Sequence, residues 1–131
     1  MSSIQTNEDQ FKALSKNPSE GPVIMLNLLK FKENGGAASY ARYAKEADRF
    51  VAGVGGKVLF LGKPRELLYG HETWDAVMLV QYPSRKAFLR MANDPEYLKA
   101  HEYREDALER AVLYAMDAMG MREVLFGDAK P

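Results

Sequence analysis

At 131 residues the chain is long enough for one domain with a real core, and its 47% apolar and 27% charged content is that of an ordinary globular protein. Eighteen Lys and Arg balance eighteen Asp and Glu, so the basic excess that supports phosphate-backbone binding is missing and no nucleic-acid partner is expected. The lack of cysteine excludes disulfides, thiolate nucleophiles and Cys-held zinc. The opening MSSIQTNEDQ has neither the basic nor the apolar region of a signal peptide. No apolar run approaches the roughly 20 residues needed to span a bilayer. A cytoplasmic protein without a membrane partner is expected.

Residues 7 to 16 (NEDQFKALSK) predict a short helix. Thr6 is the candidate cap, acids fill the first turn, Phe11 and Leu14 share a face, and Asn17-Pro18 stops it. Gly21-Pro22 then opens the run VIMLNLLKF, closed by Glu33-Asn34-Gly35-Gly36, and its length and flanks predict a strand. Alternation puts Val23, Met25, Asn27, Leu29 and Phe31 on one face and Ile24, Leu26, Leu28 and Lys30 on the other. Both faces are largely apolar, so both should be covered. Residues 37 to 54 repeat apolar positions at helical spacing, from Tyr40 and Tyr43 to Val51 and Val54, and Gly55-Gly56 ends them.

KVLFLG (57–62) predicts a second strand, which RELLYG (65–70) would continue past a bend at Lys63-Pro64. TWDAVMLVQY (73–82) predicts a third. Ser84 caps RKAFLRMA, Asn93-Asp94-Pro95 breaks that helix, and Asp94 caps a further one running to about Asp106. RAVLYAM (110–116) predicts the last strand.

After the leading helix the order is β-α-β-β-α-β, the ferredoxin-like split βαβ arrangement of an α+β protein. Both helices then lie on one face of an antiparallel sheet. A second copy related by two-fold symmetry is the simplest cover for the other face, which makes the expected partner the chain itself as a homodimer. The expected division is residues 1-20 as an N-terminal helical extension, 21-119 as the domain and 120-131 as a C-terminal tail.

The strings GPVIMLNLLKFK, SYARYA, GGKVLF, WDAVMLVQYPSRKAFLRM, and DPEY followed by HEYREDAL together resemble a bacterial domain-of-unknown-function family, number thirteen-thirty. The resemblance covers roughly Gly21 to Ala115. It implies the dimeric α/β barrel, in which two ferredoxin-like sheets face each other, and it carries no established reaction. The wider superfamily holds small monooxygenases, isomerases, haem enzymes and proteins that only bind or sense. Relatives often carry an acid before the glycine that ends the second strand, where this chain has Tyr69-Gly70.

Asn27 is the first candidate site residue. A buried amide without partners costs roughly 1–3 kcal/mol, so it binds either a ligand or a neighbouring segment. Tyr97, His101 and Arg104 follow at i, i+4 and i+7 on one helical face. They could orient an anionic or enolisable ligand, with His101 as general base and Arg104 steadying negative charge. The alternative is a packed tyrosine beside two surface residues that pair with Glu105 or Asp106. Trp74 and Asp75 form the third candidate, with Asp75 either orienting His101 or Arg104 or serving as a strand-edge charge.

His71 and His101, each followed by Glu, match no metal-ligand spacing, so no metal site is expected. No Rossmann cradle, P-loop or GxSxG occurs, and no cofactor is predicted. These residues point to a small-molecule-binding homodimer, acting as a cofactor-free monooxygenase- or isomerase-like enzyme on a small carbonyl or aromatic compound. A non-catalytic sensing or structural dimer is the alternative.

Overall fold

The computed structural model describes residues 4–127. The ends of the expected extension and tail, 1–3 and 128–131, lie outside the described residues. Helix α1 (Glu8–Lys16) precedes strand β1 (Val23–Phe31), helix α2 (Gly36–Gly53), and strands β2 (Lys57–Gly62) and β3 (Ala76–Tyr82). Helices α3 (Arg85–Ala92) and α4 (Pro95–Ala107), strand β4 (Leu108–Met116) and a short helix α5 (Met121–Phe126) complete the chain. The strands form one antiparallel sheet in the order β2-β3-β1-β4. The order of elements along the chain and across the sheet is the ferredoxin-like α+β fold.

β1 is central, and its alternation is the one expected. Val23, Met25, Asn27 and Leu29 are buried towards the helices, while Ile24, Leu26 and Leu28 are half-buried on the other face. The core beneath the helices is split in two. One cluster gathers Val23, Met25, Val80, Tyr82, Phe88, Met91 and Tyr97. The other holds Leu29, Ala107 and Leu108. Asn27 sits on β1 between Met25 of the first and Leu29 of the second.

Local chemistry sets the helix ends. Ser84 Oγ accepts from the Ala87 N–H at 3.1 Å and Asp94 Oδ1 from the Glu96 N–H at 2.8 Å, so both expected caps form. Gly55 at φ 84° closes α2, a conformation glycine adopts without steric cost. Gly36 opens α2 so close to α4 that a Cβ there would stand 2.7 Å from the Ala107 carbonyl oxygen. That close approach places α2 beside the end of α4.

Four local expectations are corrected. Asn7, not Thr6, is the N-cap of α1, and it makes no side-chain cap bond. Residues 65–70 leave the sheet instead of continuing β2, because Pro64 offers no N–H to a ladder and Gly70 turns the chain at φ 100°. β3 begins at Ala76 instead of Thr73, since the Asp75 N–H donates to Leu29 O at 2.8 Å while its carboxylate binds the Phe31 N–H. β4 begins at Leu108, with no linker after α4, because Ala107 and Leu108 are both fully buried.

Candidate functional site

The site grows from the inward face of α4. Tyr97 is buried, while His101 and Arg104, one and two turns further on, are half-buried. With two polar groups on the side that packs, α4 lacks the apolar stripe of an ordinary covering helix. Arg104 Nη2 donates to Oδ1 of Asn27 at 3.4 Å, and its guanidinium also reaches the Tyr40 hydroxyl. Among the described residues no carboxylate forms an ion pair with it. The amide in the apolar strand therefore has a partner, and that partner is a cation.

Aromatic rings wall this group. Tyr40 and Tyr43, one turn apart on α2, meet in a tilted contact with centroids 5.3 Å apart, and the Tyr43 and Tyr97 hydroxyls share a hydrogen bond of 2.7 Å. Tyr43 meets His101 nearly edge-on at 6.4 Å, and Tyr97 lies 5.8 Å from the same ring. Burial pushes the Tyr40 phenol up to about 12, against the pull of Arg104, and it raises Tyr43, Tyr82 and Tyr97 as well. All four phenols are neutral donors at physiological pH. Burial, and secondarily Arg104, lowers the pKa of His101, while Glu105 opposes the shift. The imidazole is accordingly held neutral, with one nitrogen free to accept a proton.

His101 and Arg104 both line a cavity of about 800 Å³. Met25 and β4 residues Ala111, Leu113 and Ala115 floor it, and Leu14 and Phe11 of α1 stand over it. This volume suits a small organic ligand. α4 and α2 leave β4 bare on this side, so Leu113 is 43% exposed although it pairs with Asn27 on the covered face. The leading helix thus roofs the cavity from a segment outside the ferredoxin-like unit.

The sequence-derived candidates separate here. Asn27 stands behind Arg104 and is not part of the cavity wall. Tyr97 belongs to the core. Asp75 does not engage His101 or Arg104: its carboxylate accepts from the Phe31 N–H at 2.9 Å and pairs with Lys30 at 3.5 Å. Trp74 lies under the Arg110 guanidinium, 4.5 Å from its ring centroid, away from the cavity. Strand alternation could not exclude Asp75, because its partner is a backbone N–H 44 residues earlier. Tyr69 projects into solvent at 94% exposure and lines no part of the cavity.

Three contributors were not expected: Tyr40, Tyr43 and Arg85. The tyrosines were read only as apolar positions of a helix. Arg85 also lines the cavity, and a signal for it existed, since a cation in the first turn of a helix opposes the helix dipole. Among the described residues no group of three or more His, Cys, Asp or Glu could hold a metal, and no helix is long and apolar enough to cross a membrane.

The fold and this cavity define a ferredoxin-like α+β protein with a pocket on its helical side lined by Arg85, His101 and Arg104, the last two backed by buried tyrosines. The chain belongs to the family described as Domain of unknown function (DUF1330), whose sequence model matches residues 31–118. A protein of unknown function from Rhodopseudomonas palustris is 31% identical over 92% of this chain and 99% of its own, with a TM-score of 0.83. A dimeric ferredoxin-like protein of unknown function from Bacteroides fragilis shares the fold at 13% identity and TM-score 0.55, over 75% of this chain and 97% of its own. SnoaB, a cofactor-independent oxygenase from Streptomyces nogalater, shares it at 17% identity and TM-score 0.56, over 76% and 95%. No curated protein matches the sequence.

Proposed function

We propose that this protein is a homodimer whose subunits each bind a small organic anion, a carboxylate or an enolisable carbonyl compound, and act on it without a cofactor. One observation carries the reading: Arg104 opens on the cavity with neutral hydrogen-bond partners, and although Glu105 lines the same cavity, no carboxylate of the described residues forms an ion pair with the guanidinium. A half-buried guanidinium of this kind is completed by an anionic ligand. His101, held neutral next to it, supplies a base. It would take a proton from carbon next to a carbonyl, the C–H electron pair would form the new C=C bond as the C=O π pair moves to oxygen, and Arg104 would hold the resulting enolate. Return of the proton at another carbon is isomerisation; capture of dioxygen by the enolate is oxygenation. The oxygenase of Streptomyces nogalater supports only the fold in which such chemistry is housed.

Homodimerisation is supported by the uncovered sheet face. Ile24, Leu26, Leu28, Val77 and Leu79 lie there half-buried, and Phe60 of β2, opposite Leu79, is 55% exposed. An apolar face of this extent in water requires a cover, and the Bacteroides fragilis protein of the same fold is dimeric.

The test is a thermal-shift screen of the full chain against small carboxylates and 1,3-dicarbonyls, repeated with Arg104→Gln. Stabilisation by anionic compounds that the variant loses supports the site. No stabilisation, or equal stabilisation of the variant, overturns it. For any compound that turns over, undiminished turnover by His101→Ala removes the base.

A further inference from the structure

The cavity holds a second guanidinium that the proposed chemistry does not use. Arg85, the first residue of α3, is 7% exposed and lines the same cavity as Arg104. Its Nη1 lies 3.0 Å from Asp117 Oδ1, yet Nε and Nη1 are both buried without a well-formed hydrogen bond. Asp117 itself is 63% exposed in its side chain, just past the end of β4. A buried cation whose nitrogens lack well-formed hydrogen bonds is costly, and an ion pair to a carboxylate held mostly in water offsets that cost poorly. The position adds to the cost, because a cation at a helix start faces the positive end of the dipole. A ligand that supplies a better-placed anion would offset that cost.

We infer that the cavity is built for a dianionic ligand, an elongated dicarboxylate, with one carboxylate or enolate at Arg104 and the second at Arg85. This deepens the small-anion reading above and rests on it. The spacing fits such a molecule. Arg104 binds Asn27, which pairs with Leu113 of β4, and Arg85 meets Asp117 four residues further along the chain. Four residues of extended chain span about 13 Å, and both arginines reach inward from helices over that floor. The apolar residues Met25, Leu113 and Ala115 lie between, where a hydrocarbon or ring spacer would rest. Asp117 acts as a stand-in carboxylate at Arg85 in the free protein, and the second carboxylate of the ligand displaces it.

The experiment titrates the full chain calorimetrically with straight-chain dicarboxylates of about six to ten carbons and with the monocarboxylate of each length. In the wild type the best dicarboxylate should bind about tenfold or more tighter than its monocarboxylate, the scale of one charge-assisted contact. Arg85→Gln should erase that difference. Asp117→Asn, at an exposed position that tolerates change, should raise dicarboxylate affinity severalfold and leave the monocarboxylate unchanged, which keeps the test open should Arg85→Gln fail to fold. Monocarboxylate binding that Arg104→Gln abolishes, with no gain for any dicarboxylate and no response to Asp117→Asn, overturns the dianion and leaves the single-anion site standing. Binding of neither series overturns both. Weaker dicarboxylate binding in Asp117→Asn also overturns the dianion, since Asp117 would then be orienting Arg85 instead of competing for it.

Discussion

Arg104 on α4 donates to Asn27 on β1 across the helix–sheet interface at 3.4 Å, joining residues 77 positions apart in the chain. This bond explains why a nearly all-apolar strand carries an amide: Asn27 separates two apolar clusters and gives a cation something neutral to lean on. A carboxylate in its place would neutralise the charge of Arg104 and weaken its pull on an anionic ligand. Asn27→Asp should therefore weaken binding of a small carboxylate probe by about tenfold or more, read by calorimetry. Asn27→Ala should lower unfolding stability by about 1–2 kcal/mol in urea titrations. Carboxylate affinity unchanged in Asn27→Asp would show that Arg104 is not the anchor.

His101 makes a prediction about pH. Burial and Arg104 lower its folded-state pKa, Glu105 opposes them, and the neutral phenols of Tyr43 and Tyr97 face the ring. The unfolded chain takes up its proton near about pH 6.5, before the folded chain does. As pH falls below that value the unfolded state is favoured, and the loss of stability is complete once the lowered folded pKa is passed. Above about pH 6.5 the contribution is flat. The stability difference between wild type and His101→Asn should consequently move against the wild type between about pH 7 and pH 5. A difference that does not change with pH would mean that the imidazole is not held neutral.

The Tyr43–Tyr97 hydroxyl pair, 2.7 Å apart among aromatic rings, should show strong coupling. Tyr43→Phe leaves a buried phenol on Tyr97 and should cost about 1–2 kcal/mol. The double variant with Tyr97→Phe should recover much of that loss, because no orphan hydroxyl remains. Additive single losses in denaturant titrations would contradict a direct bond.

On the open face, Leu26 pairs with Leu79 at the centre of the sheet. Leu79→Lys puts a charge on each of two facing sheets. It should raise the dimer dissociation constant by about 100-fold or more, as seen by sedimentation equilibrium, with the secondary structure kept. A dimer that survives the substitution would assemble through another surface.

Asp75 caps the Phe31 N–H and sits apart from the cavity. Asp75→Ala should cost about 1 kcal/mol of stability and leave ligand affinity untouched. A large loss of affinity would return it to the site.

The order of elements, the buried side of β1 and the caps of α3 and α4 were legible in the sequence, because each rests on a short-range rule. Alternation along Val23–Phe31 is a property of a strand by itself, and Ser84, Asp94 and Gly55 act within one helical turn of their own positions. Tyr97, His101 and Arg104 were placed on one helical face for the same reason. What that face meets is not a short-range property. Whether Arg104 reaches Asn27 or a surface acid depends on how α4 lies over β1, which the close approach at Gly36 and the fully buried junction at Ala107 and Leu108 help to set. Tertiary packing alone withdrew Asp75 to the end of β1, set Tyr40 and Tyr43 beside Arg104 and His101, brought Arg85 into the cavity wall, and left β4 uncovered so that a cavity forms under α1. Local periodicity determined which residues point inward; only the packing of helices on the sheet decided which of them meet.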